Sequence, residues 1–243
     1  MRAAPQPVSA LQWFLGALSL PQRWRSGVGP IIAAVVLVAI VLTAIFAPLI
    51  APHDPLTMNS VQRLKGPSDI YPLGTDAYGR DLFSRIVYGG RISLLIGIGA
   101  AITSVIIGLL IGLVSGFFRL ADAIIMRVMD ALMAIPSILL AIALVSLNGP
   151  SIWSVMAAIT IPEIPRVVRL VRSVVLSARE EPYVEAAITL GTSMPKILLR
   201  HLMPNTLAPL IVQGTYICAS AILTEALLSF LGAGVSTEIP TWG

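Results

Sequence analysis

EAAITLGTSMPKILLRHLMP, residues 185–204, is the stretch whose reading decides the fold of this chain. It interrupts two very apolar regions. Glu185, Lys196, Arg200 and His201 would be costly in hydrocarbon, so the segment belongs in water at a membrane surface. Its pattern predicts a short helix, a break at Gly191 and a second helix lying on that surface. Ala186 and Ala187 are small and let a helix press into the groove of a partner. Glu185 offers a carboxylate for a basic group there. Gly191 permits the turn, and Pro204 suits the first turn of the next helix. These are the features of a docking element offered to a soluble protein.

Composition fixes the class. The chain has 243 residues, 56% hydrophobic and 12% charged, against about 25% charged in a soluble domain. That places it among helical membrane proteins. Its formal net charge is only +4, and no nucleic-acid partner is expected. One cysteine, Cys218, excludes an internal disulfide framework and a cysteine-rich metal site. His53 and His201 lack a second ligand at metal spacing, so no metal site is expected. No G-x-x-x-x-G-K-[ST] occurs, so nothing here cradles a nucleotide phosphate. The chain is expected to be non-catalytic and to hold no cofactor of its own.

Residues 1–28 read as a cytoplasmic tail, with Trp13 at headgroup depth, and 29–243 as the transmembrane domain. The first apolar run, about 30–50, is too long for a signal-peptide core and reads as an anchoring span. Residues 51–91 form an external loop, closing with a helix over 81–93. A second span follows at 92–114, with small residues every fourth position: Ala100, Ser104, Gly108, Gly112 and Gly116. That stripe predicts close helix packing, within the chain or against a partner. A third span, 123–147, is interrupted by Pro136, and Arg127 can pair with Asp130 along one helix face. The fourth starts near Ser151 and is kinked at Pro162-Glu163-Ile164-Pro165. The fifth covers 207–231 and contains Glu225.

Lys and Arg set the orientation. With the N-terminus inside, eleven fall on the cytoplasmic side and five outside. This places the segment 173–204 in the cytoplasm. Glu225 has two readings. It is a packing carboxylate hydrogen-bonded to a neighbouring helix, or it lines or gates the external end of a pathway.

The 185–204 segment resembles the EAA loop of ABC transporter permeases in Glu185, Ala186, Ala187, Gly191 and Pro204. The run Tyr71-Pro-Leu-Gly-Thr-Asp-Ala-Tyr-Gly-Arg-Asp81, with Gly90-Arg-Ile-Ser-Leu94, is similar to the dipeptide, oligopeptide and nickel branch of that family. So are Glu225–Gly234 and Pro240-Thr-Trp-Gly243. The similarity is specific to the second, shorter permease of the pair. It implies an all-α polytopic bundle and a pathway shared with a second permease. Two cytoplasmic ATPase subunits would carry ATP and Mg, an external binding protein would deliver substrate, and the bilayer of a bacterial inner membrane would surround the spans. Peptides are the expected substrate, with nickel or glutathione as alternatives. A stand-alone channel or secondary carrier is the competing class. The family pattern has six spans and five are visible here, so a sixth is expected beyond Gly243.

Overall fold

The structure, a computed structural model, describes residues 27–236 and 238–243. The expected cytoplasmic tail, apart from its last two residues, lies outside them. The chain divides after Leu42 into two units. Of the first, the described part is helix α1, Val28–Ile45, which runs past that boundary. It carries no charged residue, as a span of the hydrocarbon core requires.

Among the described residues the regular secondary structure of the second unit is all helical, apart from one isolated bridge between Thr75 and Asp81 in the loop that precedes Leu82. A short helix α2, Ala47–Ile50, leads into the loop. There Asp76 accepts from the backbone N–H groups of Tyr78 and Arg80 and from Arg80 Nε, all within 2.9 Å. This folds the Tyr71–Asp81 run into a compact turn. Asp81 then caps helix α3, Leu82–Phe117, by accepting from the Ser84 backbone N–H at 3.2 Å. The expected helix over 81–93 and the span over 92–114 are thus one helix. Gly89 and Gly90, which lower propensity at the join, are used there for close contact with Thr241 and Trp242.

Helices α4, Arg119–Ala134, and α5, Ser137–Asn148, replace the expected third span. They meet at 88°, because Pro136 has no N–H to continue the ladder and biases Ile135 towards extended backbone. Helix α6, Ile152–Ala178, is started by Ser151, whose Oγ accepts from the Ser154 N–H at 3.1 Å. It continues through both Pro162 and Pro165. Helices α7, Pro182–Thr189, and α8, Met194–Ile197, follow. A π turn over Leu198–Leu202 joins α8 to α9, Met203–Phe230. The second helix expected to lie on the surface is therefore the first turns of a long helical unit, Met194–Phe230. Pro204 sits in the first turn of α9, and the wider π turn before it relieves the clash of its ring with the preceding backbone.

Three of these units are long and apolar enough to cross a membrane: α1, α3 and Met194–Phe230. Counting the bent α4–α5 pair makes four. The expected five are not reached on length and composition. Helix α6 is long enough, but Glu163, Arg166, Arg169 and Arg172 lie along it.

Packing centres on α3 against α6. A Cβ added at Gly108, Gly112 or Gly116 would stand 2.5–2.6 Å from the Cβ of Val167, Val171 or Val175 respectively. The small-residue stripe thus faces a valine stripe of the same chain. Around the seam lie two apolar clusters. One contains Val167, Val171, Val175, Leu113 and Leu210. The other contains Ile96, Ala100, Val155, Ala158 and Leu228.

Candidate functional site

The docking segment folds as a self-contained corner. Pro182 opens α7, where its fixed φ suits the first turn. Gly191 adopts φ +72°, a conformation costly for any residue with a Cβ. Its N–H donates to the Ile188 carbonyl at 2.9 Å, and the Thr192 N–H donates to the Ala187 carbonyl at 3.0 Å. This pair of reverse bonds closes the C-terminus of α7 in a Schellman motif. On the far side, Asn205 Nδ2 donates to the Tyr183 hydroxyl at 3.0 Å and to the His201 carbonyl at 2.6 Å. The first turn of α7 is thereby tied to the first turn of α9.

The corner has two faces. Val184, Ile197 and Leu202 are fully buried in the same cluster as Val171 and Val175 of α6. Ala187 also turns inward, so it serves the chain's own core and not an external groove as expected. The outward face carries Glu185, Ala186 and Gly191. Tyr183, Ile188, Leu190 and Met194 are exposed beside them, Leu190 at 84%. Exposed apolar side chains clustered around a carboxylate suit the docking of a protein.

Charge ties the helices together near that corner. Arg172 grips Asp122 of α4 with both arms of its guanidinium, at 2.5 and 2.6 Å. Ser115 of α3 donates to the same carboxylate at 2.6 Å. Arg169 reaches Asp130 at 2.6 Å. Asp130 was expected to pair with Arg127 on its own helix. It pairs across to α6 instead, where the planar fork of arginine meets a carboxylate well. Sequence spacing could not reveal partners 39 and 50 residues away.

Glu225 lies at the opposite end of the bundle and is fully buried. It accepts from Ser229 Oγ at 2.9 Å and from Ser93 Oγ of α3 at 3.4 Å. Ser93 Oγ in turn accepts the Trp242 backbone N–H at 3.1 Å, and Trp242 Nε1 donates to the Ile86 carbonyl at 2.9 Å. The C-terminal Pro240–Trp242 strap is therefore fastened across α3 directly above Glu225. No periodicity marks this strap, and only its indole N–H, a donor that needs an acceptor when packed, hinted at it. Close by, a cleft of about 890 Å³ is lined by His53, Tyr88, Arg91, Ile152 and Glu238, among others. Among the described residues no group of three or more metal-ligating side chains comes together.

Residues 91–243, more than half of the chain, match the family described as the binding-protein-dependent transport system inner membrane component. The chain belongs to this family. Residues 23–67 of this permease match a second family, the N-terminal TM domain of oligopeptide transport permease C. A probable peptide ABC transporter permease of Sinorhizobium fredii is 53% identical, over 83% of this chain and 69% of that protein. The dipeptide transport system permease DppC of Alkalihalophilus pseudofirmus is 44% identical, over 88% and 70%. A probable D,D-dipeptide transport system permease of Escherichia coli is 43% identical, over 87% and 71%. The resemblance read from Glu185–Pro204, Tyr71–Asp81 and Glu225–Gly243 is to the same group of proteins.

Proposed function

We propose that this permease carries di- or oligopeptides inward across a bacterial inner membrane as one half of a pathway shared with a second permease. The names of its relatives support the substrate class. In this reading α6 joins α1, α3, the α4–α5 pair and α9 as a fifth crossing, and the N-terminus is cytoplasmic. Two ATPase subunits supply all the ATP chemistry, and one of them docks on the outward face of α7 and Gly191. An external binding protein delivers the peptide.

The observation that carries the reading is the two-faced corner. Its outer face is free for a partner, while Val184 and Ile197 are embedded in the α3–α6 core. Closed-packed interiors transmit displacement instead of absorbing it. A push on Glu185 and its neighbours therefore moves α6 and α9 together. In this scheme Glu225 latches the external end of the bundle beneath the Trp242 strap.

Glu185→Lys, and Gly191→Val separately, test the reading in the complete complex. Both should lower ATP-dependent peptide uptake and retention of the ATPase subunits, while the permease stays in the membrane at normal levels. Wild-type uptake with normal assembly in both variants would remove the docking assignment.

A further inference from the structure

We infer that Glu163 and Arg166 form a charged pair on the wall of the translocation pathway, at mid-membrane depth, where they meet the charged ends of the passing peptide. This inference rests on the reading as a peptide importer and names a residue pair that acts within it.

Depth is the first argument. Helix α6 starts at Ile152, followed by Trp153, which is 71% exposed and of a type enriched at headgroup depth. Glu163 lies eleven residues beyond Ile152. At 1.5 Å per residue that is about 16 Å, roughly half of a ~30 Å hydrocarbon core. The two apolar clusters also part at this level: Ile159 belongs to one and Val167 to the other. Between them the chain places polar groups, with Ser104 Oγ donating to the Thr160 carbonyl at 3.4 Å.

Exposure is the second. Arg166 Nη1 donates to Glu163 Oε1 at 2.9 Å, yet the Arg166 side chain remains 43% exposed. An arginine at this depth does not face lipid; it faces protein or a water-filled cavity. The adjacent Arg169–Asp130 pair is half-exposed on the same side. By contrast, the exposed side chains along the middle of α3, Ile102, Ile106 and Leu110, are apolar.

The third argument is an unused acceptor. Glu163 is 6% exposed, and its Oε2 has no hydrogen-bond partner. A buried carboxylate oxygen left unpaired is costly unless something occupies it at another stage. Pro162 and Pro165 add to this. Neither has an N–H, so the carbonyls of Ala158 and Ile161 lose their usual helical donors. Such backbone is tolerated at membrane depth where it is covered by protein or lines a cavity.

A peptide with free termini carries one ammonium and one carboxylate. Glu163 Oε2, covered in this structure, accepts from the ammonium once the helices part around it, and Arg166 offers its remaining N–H groups to the carboxylate or to peptide carbonyls. The pair has no net charge, so it lowers the barrier for a zwitterion without trapping it. That is the balance a conducting site needs.

The test uses the full complex in proteoliposomes, in a Cys218→Ala background. Arg166→Cys should react with a charged, water-borne methanethiosulfonate reagent during turnover, and Ile106→Cys should not. The double variant Glu163→Gln/Arg166→Cys, which leaves no buried charge unpaired, should react as well. Glu163→Gln alone keeps an acceptor for Arg166, so assembly should persist while peptide uptake per ATP hydrolysed falls about tenfold. Glu163→Asp should restore most of it. Unreactive cysteines at position 166 in every state would mean a dry contact with the second permease and would overturn the inference. So would wild-type uptake by Glu163→Gln. If wild-type proteoliposomes show no ATP-dependent peptide uptake, the importer reading itself fails, and this inference with it.

Discussion

Gly112→Ala should loosen the seam between α3 and α6, whereas Gly214→Ala in α9 should not. At Gly112 an added Cβ meets Val171 Cβ at 2.6 Å, Val171 Cγ1 at 2.8 Å and the Val168 carbonyl oxygen at 3.0 Å. Carbon atoms rest at about 3.5–4.0 Å, so the two helices must separate locally by about 1 Å. No rotamer change relieves this, because the nearest atom is a Cβ fixed to the backbone. At Gly214 the nearest atom is Val105 Cγ2 at 3.5 Å, an ordinary contact. Both substitutions gain the same helix propensity of roughly 0.5–1 kcal/mol, which cancels in the comparison. What remains is the overpacking cost of about 1–3 kcal/mol. Unfolding of the purified chain by sodium dodecyl sulfate in mixed micelles measures it. Gly112→Ala should be the less stable by that difference. Val171→Ala should not rescue it, because the offending Cβ is kept. Equal stability of Gly112→Ala and Gly214→Ala would refute the argument that the stripe is in close contact with α6.

Other outcomes follow from the same geometry. A double-mutant cycle on Asp122→Ala and Arg172→Ala should give a coupling of about 1–2 kcal/mol in the same unfolding assay, since the pair is bidentate and only partly exposed; zero coupling would count against a network between α4 and α6. Burial acts to raise the Asp76 carboxyl, but the N–H groups of Arg80 and Tyr78 and the Arg80 guanidinium outweigh it and hold it below the usual carboxylate range. Its contribution is therefore present above the unfolded value of about 3.9 and is lost as pH falls through the lower folded value. Proteolysis of the loop between α2 and α3 should rise on acidification through that window, and Asp76→Asn should remove the pH dependence. Glu225→Gln can keep its bonds to Ser93 and Ser229 and should leave abundance near normal, whereas Glu225→Ala should lower it; equal abundance of the two would remove the latch role.

Much of this architecture was legible in the sequence because apolar runs and turn chemistry are local signals. The α7 corner could be read from Gly191 and the flanking polar residues, since only a glycine enters the left-handed turn at little cost. The stripe from Ala100 to Gly116 gave helix contact, though its partner valines on α6 could not be named. What escaped was set by distant partners. The Asp122–Arg172 and Asp130–Arg169 pairs join segments far apart in sequence. The strap over Glu225 depends on Trp242 finding the Ile86 carbonyl. The span boundaries also moved. The expected helix over 81–93 and the span over 92–114 are one helix, α3, which the strap approaches closely at Gly89 and Gly90, while Pro136 bends the expected third span through nearly a right angle.

The proposed importer is driven by ATP through the α7 corner. Uptake of a labelled dipeptide into proteoliposomes holding the complete complex tests it most directly, with the nucleotide, binding protein and ion gradients varied independently. Uptake should require ATP and loaded binding protein, persist when proton and sodium gradients are collapsed, and disappear with Glu185→Lys. Uptake that proceeds without ATP and follows an ion gradient would contradict it.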